Sequence, residues 1–157
     1  MNSEILERRD FLRKVLSAGA ALFLAPHMVR AAASPLAMTV YKTPSCGCCK
    51  AWVAGMQRAG FTIKIVDLDN LDEVKRNAGV PGELQACHTA LVGAYVVEGH
   101  VPADLIKRML DEKPQITGLA VPGMPAGSPG MDQGAAKEPY AVIAFTRSGK
   151  SSVYARR

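Results

Sequence analysis

The sequence is poor in aromatic rings, in concentrated charge and in long apolar runs. Aromatic residues make up 6% of its 157 positions and the formal net charge is only +5. Lysines and arginines are scattered without a long basic run, so a nucleic-acid groove, which needs a cationic stripe and stacking rings, has little to be built from. The apolar stretch near the N-terminus, from about Val15 to Leu24, is about half of the roughly 20 residues that a bilayer-spanning helix requires. Internal repeats are absent too. What is present, 48% hydrophobic and 21% charged residues, is the composition of an ordinary folded chain and excludes a disordered one. The length suits one domain with a real core and is too short for two comfortable ones.

The first thirty residues follow the order of an export signal: a basic pair (Arg8, Arg9) followed by Phe11 and Leu12, an apolar region, then small residues at Ala31 and Ala33. The Arg-Arg-x-Phe-Leu order resembles a twin-arginine signal, with Glu7 where Ser or Thr is usual. The expected organisation is a signal peptide over 1–33, a tether over 34–37, and one domain over 38–157. The expected location is the periplasm, with cleavage near Ala33 and no membrane span after processing. An ordinary amphipathic N-terminal helix is the alternative.

Along the mature chain, "MTVYK" reads as a strand that stops at the turn signal "TPSCG". From Cys49 the apolar positions Trp52, Val53 and Met56 recur at helical spacing and end near Gly60. "FTIKIVDL" alternates, with Phe61, Ile63 and Ile65 on one side and Thr62 and Lys64 on the other. Asp69 or Asn70 is placed to cap a short helix that Gly79 and Pro81 close. "TALVGAYVVEGHV" predicts a hairpin turning near Gly93-Ala94. Pro102 opens a helix with Leu105, Ile106, Met109 and Leu110 as its apolar stripe. The stretch from Pro114 to Pro139, with five prolines and five glycines, shows no sustained period and reads as a long loop. "YAVIAF" and "SSVYA" predict a closing hairpin. The order is β-α-β-α-β-β-α followed by a loop and a hairpin: an α/β fold with a mixed sheet flanked by helices.

Three of the four cysteines lie within "SCGCCK", at Cys46, Cys48 and Cys49. A strand running into a Cys-x-x-Cys loop that opens a helix is the layout of a thioredoxin-like domain. The helix terminus supplies unpaired N–H groups and positive dipole, which favour thiolate for disulfide exchange or metal bonding. Three features point to metal. A third thiol between the pair is unnecessary for a dithiol switch and would scramble it. Adjacent Cys48 and Cys49 bridge poorly to each other. Concentrated soft sulfur selects Cu(I), zinc or iron–sulfur clusters. In a thioredoxin-like fold Cys87 enters the third strand facing that loop and brings a fourth sulfur. His88 and His100 are candidate nitrogen ligands, or groups that orient ligands.

"YKTPSCGCCKAW", "ACHTALVGAYVVEGHVPADLI" and "GLAVPGMPAGSPGM" together resemble the bacterial periplasmic copper-resistance proteins called CopG, over nearly all of residues 38 to 154. The resemblance implies a thioredoxin-like fold and a role in handling excess copper. It also implies several Cu(I) ions per chain in a thiolate-bridged cluster held by Cys46, Cys48, Cys49 and Cys87, with His88 beside it. Members often carry a histidine in the helix after the loop, where this chain has Gly55.

Met124 and Met131 sit among prolines and glycines rather than in an apolar stripe. As thioethers they are candidates to pass Cu(I) along to other periplasmic copper-handling proteins; the alternative is that they pin the loop to the core. Two further functions compete with copper sequestration: a periplasmic thiol–disulfide or copper oxidoreductase with Cys46 as nucleophile and Cys49 resolving it, and a structural zinc site.

Overall fold

In a computed structural model of the chain, residues 36–131 and 138–157 are described; the expected signal peptide over 1–33 lies outside them. The elements are β1 (Leu36–Lys42), α1 (Gly47–Arg58), β2 (Phe61–Asp67), α2 (Asp72–Ala78), a 3-10 turn (Gly82–Leu84), β3 (His88–Val92), β4 (Tyr95–Gly99), α3 (Ala103–Glu112), β5 (Gly118–Val121), β6 (Ala141–Phe145) and β7 (Ser151–Arg156). β1 takes in residues 36 and 37, which the sequence assigns to the tether. β5 falls inside the stretch expected to be a loop throughout: its four residues "GLAV" are all buried, too short a run to show a period.

The strands form one mixed seven-stranded sheet in the order β2-β1-β3-β4-β5-β6-β7. β1 with β2 and β4 with β5 are parallel, joined through α1 and α3, and the other pairs are antiparallel. Trp52, Val53 and Met56 of α1 and Leu105, Ile106 and Met109 of α3 share one apolar cluster with Val40, Ala90, Val97 and Leu119. Ala78, Val80 and Leu84 pack with Val96, Ala120 and Phe145 in a second cluster, reached by the opposite side-chain parity of β4 and β5. Alternation in β2 fades from buried Phe61 to Ile65, 45% exposed, because β2 is an edge strand. The cap of α2 is shifted by one from expectation: Leu71 holds the cap position without a side-chain bond, and Asn70 Oδ1 accepts the Asp72 N–H at 2.6 Å. No helix among the described residues is long and apolar enough to cross a membrane.

This topology gathers the reactive residues at one rim. β1 ends where antiparallel β3 begins, with Lys42 opposite His88, and β4 ends beside the start of β3, with Glu98 opposite Thr89. Parallel β5 ends alongside β4, with Val121 opposite Gly99. The cysteine loop, Cys87, His100 and the segment leaving β5 therefore start from the same end of the sheet.

Candidate metal centre

The three clustered cysteines occupy the N-terminus of α1. Cys46 is its N-cap, and its sulfur, in place of the usual hydroxyl or carboxylate oxygen, accepts the Cys49 N–H at 3.3 Å. Cys48 Sγ lies 3.5 Å from Cys46 Sγ. Cys46 and Cys49 are joined by a disulfide, leaving Cys48 and Cys87 as the free thiols. The pair read from sequence as the redox alternative is thus the oxidised one here, and a four-thiolate set exists only after two-electron reduction.

Cys87 does come back to the loop. The sulfurs of Cys46, Cys48, Cys49 and Cys87 all lie within 4.8 Å of one another. A second group, Cys49, Cys87, His88 and His100, meets the same limit with one ring nitrogen from each histidine. Cys87 Sγ is 3.4 Å from His88 Nδ1 and 3.1 Å from His100 Nε2. Cys46, Cys48 and Cys87 are half-buried, whereas Cys49, His88 and His100 are buried. The centre grades from an accessible sulfur side to an enclosed sulfur–nitrogen side.

Burial sets the charges. The Cys87 thiol is pushed up to about 12, first by burial and then by Cys48 at its side. Two thiolates this close repel unless a cation lies between them. Burial holds His88 down to about 3, helped by the positive charges of His100 and Lys75, and it lowers His100 as well against the pull of the Pro129 carbonyl. Both rings are neutral at physiological pH, the form in which imidazole ligates. The His88 Nε2 is buried without a hydrogen-bond partner, so one nitrogen of that ring is available to a ligand.

Two neighbours escaped the sequence reading. The Trp52 ring packs on His88 with centroids 4.4 Å apart, and its Nε1–H donates to the Val101 carbonyl at 2.9 Å. His100 Nδ1 lies 2.7 Å from the Pro129 carbonyl and donates its hydrogen there, tying the proline-rich flap to the centre. Only a helical apolar stripe marks Trp52 in the sequence, and nothing local marks a backbone carbonyl 29 residues from its histidine. The flap sits directly on α1: a Cβ at Gly130 would come within 2.8 Å of the Trp52 nitrogen and 3.0 Å of the Cys48 carbonyl. Of the two flap methionines, Met124 is 41% exposed and Met131 is half-buried beside Gly130. A cavity of about 250 Å³ between flap and helix is bounded by Gly55 with Ala51, Trp52, Arg58, Pro129 and Gly130.

The family described as a protein of unknown function, DUF411, matches residues 84–131. Two solved structures, of the copper resistance protein CopG in its form 1 and form 2, are similar to the chain with a TM-score of 0.74 and 42% identity. Each match covers 78% of this chain and 98% of the solved one. No curated protein sequence matches.

Proposed function

The chain belongs to the family of the copper resistance protein CopG, and we propose that it is a periplasmic copper-handling protein that sequesters or relays Cu(I) through a cysteine thiolate cluster. The observation that carries this reading is the convergence of four sulfurs within 4.8 Å, three from one helix end and one from the distant segment that leads into β3. Sulfur donors this dense favour soft monovalent copper over hard cations. Reduced Cys46, Cys48, Cys49 and Cys87 are the ligands, and their spacing suits bridging sulfurs and several ions. His88 and His100 offer neutral nitrogens on the enclosed side. The flap covers the ions, and the exposed Met124 thioether gives departing copper a soft foothold.

Anaerobic titration of the reduced protein tests this. Several Cu(I) ions per chain and thiolate-to-copper charge-transfer absorption are expected, with lower uptake when the Cys46–Cys49 disulfide is intact. A stoichiometry below one, or uptake indifferent to Cys48→Ser and Cys87→Ser, overturns it. Metal analysis of protein from the periplasm of copper-stressed cells tests the location and the cargo together.

The disulfide favours one second reading, a thiol–disulfide or copper oxidoreductase in which Cys46 attacks and Cys49 resolves. Reduction of the pair takes two electrons and two protons, and transfer to a disulfide substrate returns both. A redox titration of the metal-free protein together with turnover of a disulfide substrate decides it; thiols that stay inert dispose of it.

A further inference from the structure

Cys87 is the site sulfur with the least local support. The other three sit on or at the cap of α1, whereas Ala86 and Cys87 lie between the 3-10 turn and β3, in neither helix nor strand. Both polar backbone atoms of Ala86 are nevertheless taken, and by side chains. Its N–H donates to Glu98 Oε1 at 2.7 Å, and its carbonyl accepts from Lys75 Nζ at 2.9 Å. Those two side chains are paired with each other at 2.5 Å, Glu98 fully buried and Lys75 nearly so. Thr89, two residues beyond Cys87, donates to Glu98 Oε2 at 2.7 Å and accepts from Lys75 at 3.1 Å. One carboxylate thus holds the residue before Cys87 and the residue two after it.

The surrounding backbone is cut to admit this arrangement. Gly99, next to Glu98, has φ +68, and a Cβ there would come within 2.6 Å of the Ala86 Cβ and 2.7 Å of the Val121 carbonyl. The 86–87 segment can lie against β4 only because that position has no side chain. Lys75 arrives from α2 and Glu98 from β4, so two elements with no sulfur of their own meet behind the site. An ion pair in such an interior is an expensive way to gain stability, since apolar residues of similar volume commonly do as well. Its use lies in direction: a buried pair with every hydrogen bond filled admits one geometry.

We propose that the buried Lys75–Glu98–Thr89 cluster is a positioning device for Cys87, clamping the backbone of Ala86 so that the following thiol is delivered to the three sulfurs of α1. The proposal rests on the metal-site reading for its purpose, but its geometry is testable without metal. In the unreduced, metal-free protein the two free thiols are Cys48 and Cys87. Dibromobimane, a short reagent that fluoresces once both ends have reacted with thiols, reads their proximity.

The wild type should give the bridged, fluorescent product. Lys75→Met/Glu98→Leu, which fills the same space with apolar atoms, should keep the wild-type circular dichroism and lose bridging by roughly tenfold or more, as displacements near 1 Å do to reactions between positioned groups. Lys75→Met/Glu98→Gln restores an acceptor for the Ala86 N–H and should recover part of the loss, an ordering that mere space-filling does not produce. A folded Leu variant that bridges like the wild type overturns the proposal, as does a wild type that does not bridge. Should the Leu variant fail to fold, the Gln variant and Thr89→Val carry the comparison: bridging below wild type supports the clamp, and equal bridging overturns it. Failure of the metal reading looks different, because the wild type then bridges its thiols normally and takes up no copper.

Discussion

Cys87 Sγ stands 3.1 Å from His100 Nε2 across 13 residues of sequence, and the other nitrogen of the same ring is bound to the carbonyl of Pro129 in the flap. One neutral imidazole therefore spans from the cover of the site to its sulfur floor. With the Nδ1 hydrogen given to Pro129, the Nε2 lone pair faces the thiol, which is the tautomer a ligand needs. Flap seating and ligand geometry are linked through that ring.

Copper uptake should release protons. Cys87 is held up to about 12 and so carries its proton at neutral pH. A cation reverses the repulsion from Cys48 and displaces that proton. Apparent Cu(I) affinity should rise about tenfold per pH unit for each proton released between pH 6 and 8. A pH-stat titration against Cys87→Ser checks it, the variant releasing fewer protons per ion bound.

Acid should destabilise the metal-free fold through His88. The folded ring titrates near 3 and an unfolded one near 6.5, so the unfolded state binds the proton first as pH falls. The His88 contribution is complete above 6.5 and disappears progressively as pH drops toward 3, on the order of 5 kcal/mol in all. Denaturant melts at pH 7, 5 and 4 should show the slope, and His88→Leu should flatten it. Because the buried Nε2 has no partner, relief of that unpaired nitrogen should offset the lost Nδ1 contact with Cys87, leaving the variant within about 1 kcal/mol of the wild type at pH 7.

Gly130→Ala should lift the flap. At φ +85, with the new methyl 2.8 Å from the Trp52 nitrogen, the segment cannot stay seated. Cys48 alkylation should speed up by roughly tenfold and bound copper should pass faster to a chelator, with the global unfolding transition little changed, since local openings need not involve the core. Iodoacetamide kinetics and a chelator chase measure both.

Trp52 should report the site, being the single tryptophan of the chain and in ring contact with His88. Its fluorescence should change during Cu(I) titration and level off at the same equivalence point as the charge-transfer band. Trp52→Phe abolishes the hydrogen bond to the Val101 carbonyl and should cost about 1–3 kcal/mol in a denaturant melt.

The sheet and helices were legible where side-chain period and punctuation agree. Trp52, Val53 and Met56 mark α1, Gly93-Ala94 the hairpin, and "YAVIAF" with "SSVYA" the last two strands. β5 was not, because four buried residues between prolines and glycines carry no period. In the site, residue type and spacing disclose the sulfurs, and strand order brings Cys87 beside the loop. The sequence reading also set metal above redox on the strength of the third thiol, while the structure closes the Cys46–Cys49 bond, so the oxidation state was not legible. Nor were the Pro129 carbonyl and the Lys75–Glu98 pair: a backbone oxygen has no residue signature, and a lysine at helical spacing looks like any solvated one until its carboxylate is found 23 positions away.

Among the described residues, every cysteine and histidine gathers at one rim of the sheet, and the other rim carries none. The Gly93-Ala94 turn and the bend at Gly60 lie there, where a dye, an affinity handle or an inserted peptide would meet neither thiol nor imidazole of the described residues.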